Sequence, residues 1–455
     1  MKTSMSFCRH VSDGLQVLCA VATLAAVSSV AKAANSFDSY FPRDQYPALS
    51  DVQPVDMTDA NSRAGFVGEM KTLSSEISKS VKEVAQKRNL TCFGNPCLMQ
   101  VFPLMYSKPD SGFFGGFRAR LTDITTQNPY LYALNAQIIR SDTAQWITAL
   151  DLDVPRVPLL LFEPRVKLRG SYARSTEFRY TGEGRESQVL SERPDADQRY
   201  STNVTALGST ILLPLFVRGE RKFGLYGSYD NSITRNDPFE SPQDSILFSE
   251  KPEAFRGGTF RAAGAGFFFD TRPTEIFTRE GGMIEFGVTV GLLKIKPNAE
   301  VFEENLNRLS YRITLVDRRY QTRGRWTLAH RLTMDALLGD PPFWEQAAIG
   351  GTDPIADVAG SGLMKGYTGG RFHENYKFIE SLEFRHHQND FHAVGLRGDL
   401  ALMPLAIDAG FMSDLFAWSL ATGLDVVWNK SFLTRFYVAF TPKDWAMRLK
   451  FSQEF

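Results

Sequence analysis

Trp445-Ala-Met-Arg-Leu-Lys-Phe-Ser-Gln-Glu-Phe455 is the stretch that decides the fold of this chain. Trp445, Met447, Leu449, Phe451 and Phe455 share one parity, and Ala446, Arg448, Lys450, Ser452 and Glu454 share the other. In a strand, a period of two puts these sets on opposite faces. One face is apolar and aromatic, the other charged but nearly neutral in sum. A strand of a soluble sandwich shows the same alternation but rarely ends on an exposed aromatic residue, whereas a barrel strand with lipid on one side and a polar lumen on the other accounts for both features.

The same alternation recurs upstream. Phe432, Thr434, Phe436, Val438 and Phe440 alternate with Leu433, Arg435, Tyr437 and Ala439, and Trp326 and Leu328 alternate with Thr327 and Ala329. Counting back from Phe455 predicts strands over 443–455, 431–440, 415–428, 399–411, 375–387, 325–337, 310–322, 281–292, 258–270, 221–234, 199–214, 164–180, 143–154, 130–140, 112–123 and 97–107. Sixteen is an even number, as single-chain bacterial barrels have, and the long connections fall at alternate junctions, opposite both termini. The expected fold is therefore all-β, a 16-stranded antiparallel transmembrane β-barrel over 98–455 with a short N-terminal periplasmic helical extension.

Composition agrees with this fold. The 455 residues carry 51 Lys and Arg against 51 Asp and Glu, so no polyanionic partner is implied and nucleic acid is not an expected ligand. Mean hydropathy is slightly below zero despite 35 Phe and 15 Tyr. After residue 33 no apolar run reaches the roughly 20 residues that a membrane-spanning helix needs.

Residues 1–33 read as a secretory signal: Lys2 and Arg9 precede a mostly apolar run from Leu15 to Val30, and Ala31-Lys32-Ala33 is a cleavage site that starts the mature chain near Ala34. Leu18 is too large for Cys19 to be a lipoprotein cysteine. Cleavage removes Cys8 and Cys19 and leaves Cys92 and Cys97 around Phe-Gly-Asn-Pro. In an oxidising compartment a local disulfide is favoured over a metal site, which lacks further ligands, and over a redox pair, which has closer spacing. So short a loop gives about 2 kcal/mol at most. Within the extension 34–97, residues 34–62 are a polar, proline-bearing lead. Phe66, Met70, Leu73, Ile77, Val81 and Val84 then recur every three or four positions, predicting an amphipathic helix over 62–88. Its stripe needs cover from the barrel, a second copy or another protein.

Four motifs in order resemble the BamA/TamA/FhaC superfamily of assembly and secretion barrels, also called the bacterial surface antigen family. Gly362-Leu-Met-Lys365-Gly366-Tyr367-Thr-Gly-Gly-Arg371-Phe372 resembles the tip of that family's sixth outside loop. Phe269-Asp-Thr-Arg-Pro273, Glu383-Phe-Arg385 and Ala406-Ile-Asp408-Ala-Gly410 resemble its flanking strand segments. The resemblance implies that Lys365 reaches acids on the inner wall, Glu383 and Asp408, while Gly366 permits the turn and Tyr367 packs at the tip. Lys365 stands where the family has Arg and cannot make the planar two-pronged contact, a role open to Arg371. The last strand, through Trp445, Leu449, Phe451 and Phe455, resembles the sorting signal by which barrels are recognised, which implies that this chain is a client of the barrel assembly machinery. Outer-membrane lipid and lipopolysaccharide are expected to surround it in the cell outer membrane of a Gram-negative bacterium, with the N-terminus periplasmic. The segment before the barrel resembles none of the family's POTRA domains.

No nucleophile elbow, His-Glu-x-x-His or phosphate loop occurs, so no enzyme, cofactor or metal is expected. His386, His387 and His392 are read as turn residues rather than metal ligands. Two functions remain: insertion or transport of outer-membrane protein or lipid with a partner, recruited through the helix at 62–88, or a structural or plugged-pore barrel.

Overall fold

The computed structural model describes residues 90–450 apart from 93–94, 109–111, 124–129, 142–144, 158–162, 181–194, 239–244, 253, 296–306, 356–362, 368–371, 390–391, 403–415, 429–431 and 443–444. The chain divides into two units, Met1–Gln86 and Lys87–Phe455, and only the second falls among the described residues. The signal segment, the helix expected over 62–88, Arg371, Asp408, Phe451 and Phe455 lie outside them.

Strands dominate the described chain. A short β1 (Leu90–Cys92) precedes β2 (Asn95–Lys108), β3 (Gly112–Asp123), β4 (Ala133–Ser141), β5 (Trp146–Val154) and β6 (Arg165–Arg179). There follow β7 (Arg199–Arg218), β8 (Arg221–Pro238), β9 (Gly257–Asp270), β10 (Gly281–Lys294), β11 (Asn307–Arg323) and β12 (Trp326–Gly339). The last five are β13 (Tyr376–His387), β14 (His392–Leu402), β15 (Phe416–Trp428), β16 (Phe432–Phe440) and β17 (Trp445–Lys450). From β2 to β17 each strand pairs antiparallel with the next. The strand order then sets β17 beside β2, an adjacency without a register among the described residues. This is the expected all-β, sixteen-stranded antiparallel sheet.

The sheet is apolar outside and polar inside. On β13, Phe378, Leu382 and Phe384 are exposed, whereas Lys377, Ser381, Glu383 and Arg385 are each at most 2% exposed. The neighbouring β12 exposes Trp326 and Met334 and buries Thr327, Arg331, Thr333 and Asp335. Trp445 and Met447 of β17 point outward and Ala446 inward, as their parity requires. A water-soluble sheet buries its apolar face; here the charged face is buried, an inversion that suits a hydrocarbon surround. No helix among the described residues is long and apolar enough to cross a membrane, which says nothing about strands.

The longest connections, residues 180–198, 239–256, 295–306, 340–375 and 403–415, all fall on the rim opposite the start of β2. The other rim has turns as tight as Gly219–Glu220 and Gly324–Arg325. The largest departures from the expected strand boundaries are in β7, β8 and β14. β7 runs four residues further than 199–214 because it passes Pro214 through a register shift between Pro214 and Phe216, and β8 runs four further than 221–234 by pairing Arg235–Pro238 with Tyr200–Asn203. A bulge of this kind lets a proline sit within a ladder without ending it. The strand expected over 399–411 is β14, His392–Leu402. Gly398 interrupts its outward apolar set of Val394, Leu396 and Leu400, and Gly395 its inward set, which hides the period in the sequence.

Candidate functional site

Connection 340–375 folds into the interior instead of standing over the rim. Phe343, Ile349, Leu363, Met364, Lys365, Tyr367 and His373 are all buried. Ile349, Leu363, Met364 and Tyr367 pack with the inward Ile379, Ala401 and Ala417 of β13, β14 and β15. Burying that apolar surface offsets the entropy of ordering a glycine-rich loop.

Polar contacts then stitch the loop to the wall, with donors on both sides. Arg312 Nη2 donates to the Glu345 carbonyl at 2.6 Å and to Glu345 Oε2 at 3.0 Å. Lys377 Nζ donates to the Ala348 carbonyl at 3.0 Å, and Arg397 Nη2 to the Leu363 carbonyl at 2.8 Å. Wall acids accept from the loop in three places, the longest contact being the Gly350 amide to Asp335 Oδ1 at 3.4 Å. Glu285 takes the Thr352 hydroxyl at 2.5 Å and its amide at 3.3 Å. Asp399 takes the Lys365 amide at 3.1 Å. Asp353 pairs across the interior with Lys167 of β6. Loop carbonyls that would otherwise be buried without donors are satisfied in this way.

The predicted tip residues meet here. Gly366 has φ +88°, and a Cβ there would lie 2.9 Å from Thr441 Cγ2 and 3.2 Å from Ala439 Cβ, so both backbone sign and space favour glycine. Tyr367 donates its hydroxyl to the Trp418 carbonyl at 2.9 Å and meets Phe372 edge-on at 5.2 Å. The Lys365 ammonium lies 5.3 Å from the centre of the Tyr437 ring, within cation–π range.

The expected wall partner Glu383 lies beneath the tip, engaged by arginines. Arg385 Nε reaches it at 2.6 Å, Arg435 Nη2 at 2.9 Å and Arg397 Nη1 at 3.8 Å. Arg435 also holds Asp425 at 2.7 Å, and Arg397 holds Asp399 at 2.7 Å. Asp399, on β14, is an acid whose contact with the tip is described, while the expected Asp408 lies outside the described residues. A strand over 399–411 with Asp408 facing inward turns Asp399 outward and leaves Arg397 in a turn, whereas β14 at His392–Leu402 faces both inward. The available signal was Glu383-x-Arg385 facing Arg397-x-Asp399, two opposite-charge pairs at period two on adjacent strands.

Away from the tip, the His373 imidazole is packed 5.1 Å from the Tyr180 ring and 5.6 Å from the Phe343 ring. Burial, helped by Lys377, pushes its pKa down to about 3, so it is a neutral packing element at physiological pH. His387 bonds Thr327 Oγ1 at 2.8 Å, and His386 packs on Trp326 at 4.6 Å. No cluster that could hold a metal ion occurs among the described residues. Cys97 is buried at the start of β2, and Cys92 ends β1 in the same antiparallel hairpin. On the β3–β9 side a cavity of about 430 Å³ remains beside the loop, lined by Arg165, Arg272, Arg318 and Asp353 among others.

Fold and interior together define a sixteen-stranded antiparallel barrel with an apolar exterior and a connection packed inside. No family model and no curated protein matches the chain. Among solved structures, the chain is similar to BamA from Haemophilus ducreyi lacking POTRA domains 1–3, at 13% identity and TM-score 0.45, over 78% of this chain and 69% of that one. It is also similar to CdiB from Acinetobacter baumannii, at 8% identity and TM-score 0.44, over 78% and 59%. CdiB from Escherichia coli gives 11% identity and TM-score 0.44, over 78% and 61%.

Proposed function

We propose that the chain is an integral outer-membrane barrel whose interior is closed by connection 340–375, and that it acts at its wall, in inserting or transporting outer-membrane protein or lipid, with a partner. The observation that carries this reading is the loop itself. Its apolar contacts and its bonds to Arg312, Lys377, Arg397, Glu285 and Asp399 occupy the path that solute would take through an open channel. In this reading the exposed band typified by Phe384, Leu396 and Trp418 faces lipid. Residues 1–33 are removed on export, the N-terminus is periplasmic, and the helix at 62–88 serves as the docking element. Lys365, Gly366 and Tyr367 act with the wall acids as the lock of the loop. Cys92 and Cys97 form a local disulfide, so the intact chain should take up alkylating agent at those positions only after reduction. Trp445, Leu449, Phe451 and Phe455 form the signal for the chain's own assembly.

The test is reconstitution of the full chain in lipid vesicles. Folding of an added unfolded barrel protein should be faster than in empty vesicles, while steady conductance stays low. The remaining cavity favours a second reading, a plugged pore. Large stable currents after removal of residues 34–97, with no effect on client folding, would establish that reading and refute the first.

A further inference from the structure

Nearly every inward arginine of β13 to β16 has a carboxylate partner, which makes one pair on the opposite wall stand out. Arg318 of β11 and Arg331 of β12 are directly opposite one another in the register. Both face inward, at 7% and 3% exposure. Arg318's other cross-strand neighbour is Met283, whose sulfur is 3.9 Å from Arg318 Nη1. Arg318 Nε has no hydrogen-bond partner, and the described polar contact of Arg331 runs from Nε to Thr333 Oγ1 at 3.2 Å. Among the described residues no carboxylate forms an ion pair with either guanidinium, in contrast to Arg272, which is bracketed by Asp270 at 2.9 Å. The acid on the same side of β10, Glu285, already accepts the hydroxyl and amide of Thr352. Like charges directly opposite one another destabilise a sheet, and a buried cation without a counter-charge is costly.

Arg318 opens onto the 430 Å³ cavity, on whose lining Lys and Arg outnumber Asp and Glu by eight to six. Thr352, also on the lining, belongs to the inserted loop, so an occupant of the cavity touches wall and loop together. We infer that this cavity binds an anion carrying a phosphate group, either free phosphate or a small phosphomonoester, with Arg318 as its principal ligand and Arg331 as supporting charge. Glu285 and Asp353, already bonded to Thr352 and Lys167, act on these two adjacent cations only from beyond ion-pair distance. A guanidinium presents paired donors that fit phosphate oxygens, and a dianion adds counter-charge to the pair. The site is independent of the proposed activity at the wall.

The experiment uses the full chain in a maltoside detergent, titrated with inorganic phosphate or with glucose 1-phosphate at millimolar concentration, against chloride at matched ionic strength. Calorimetric binding and the heat-unfolding midpoint are read. The wild-type chain should bind at least one of the two and unfold at a higher temperature with it. The stronger arm identifies free phosphate or its ester as the better occupant. Arg318→Met should unfold no earlier than wild type in chloride, because it relieves the like-charge pair, and should lose binding by roughly tenfold or more. Arg318→Lys should keep part of the affinity, and the exposed Arg319→Met all of it. Should Arg318→Met fail to fold, wild type and Arg318→Lys carry the comparison. Absence of heat and of any midpoint shift with both compounds in wild type would overturn the proposal, as would an unchanged affinity in Arg318→Met or Arg318→Lys.

Discussion

Replacing Asp399 by alanine tests whether the loop is held by the wall. The Asp399 side chain is fully buried and makes three contacts: Arg397 Nε at 2.7 Å, Ser419 Oγ at 3.0 Å and the Lys365 amide at 3.1 Å. Removing one partner of a buried ion pair costs about 3–5 kcal/mol, because the remaining charge is left uncompensated. Glu383, 3.8 Å from Arg397 Nη1, keeps part of that compensation, which places the expected loss near the lower end, about 3 kcal/mol. Arg397 also carries the Leu363 carbonyl, so it and the Lys365 amide lose their anchor in one step. At 1.4 kcal/mol per tenfold, an opening free energy lowered by about 3 kcal/mol raises the open population on the order of a hundredfold. Lys365 and Arg371 are tryptic sites, so limited trypsin digestion of the detergent-solubilised barrel reads that population directly when opening and closing are fast relative to cleavage. Asp425→Ala is the comparison. It deprives Arg435 of its 2.7 Å partner and makes no described contact with the loop, so it should lower the unfolding midpoint without early cleavage at 365 or 371. If Asp399→Ala leaves both the cleavage rate and the midpoint at wild-type values, the wall does not hold the loop and the argument fails.

Three further outcomes are expected. Gly366→Ala combines a left-handed backbone with a 2.9 Å approach to Thr441 Cγ2 and should cost roughly 1–3 kcal/mol, measured as earlier tryptic cleavage and a lower midpoint. At the turn after β9, burial acts to raise the Glu275 pKa, but Arg165, 2.5 Å away, together with Arg272 and Lys222, outweighs it and holds the group at about 2. Because the folded value is depressed, this group's stabilisation is present above the ordinary 4.5 and disappears as pH falls from there through about 2; Glu275→Gln should flatten that part of the midpoint-against-pH curve and leave its shape above pH 6 unchanged. On the outer face, Leu382→Arg should cost about 2–4 kcal/mol if the residue sits near the middle of a bilayer, read as loss of folding into lipid vesicles, and unimpaired folding would count against a lipid-facing exterior.

What was legible in the sequence follows from which interactions act at short range. The inside–outside alternation of β12, β13, β16 and β17 comes from single side chains on a pleated strand, and two residues of spacing suffice to see it. Gly366 and Tyr367 were readable for the same reason, since a turn and an aromatic tip are local features. The contact of the tip with Asp399 was not, because naming it requires the register of a different strand. A slip along the chain changes which residues lie level with the tip, and a slip by one exchanges the two faces. A strand over 399–411 brings Asp408 to the lumen; β14 at His392–Leu402 brings Arg397 and Asp399 there, and Asp408 lies outside the described residues. The ion network then changes the meaning of the tip residue. Arg385, Arg397 and Arg435 already neutralise Glu383, Asp399 and Asp425 from the wall itself, so these three acids do not need a charge from the loop. It brings a backbone amide to Asp399, a carbonyl to Arg397 and an ammonium to the face of Tyr437. A lysine at position 365 is adequate for that work, where a forked guanidinium would compete with Arg397 for the same carboxylate. On that reasoning Lys365→Arg should not tighten the loop, and slower tryptic cleavage at Arg371 in that variant than in wild type would show that a free carboxylate had been waiting for it.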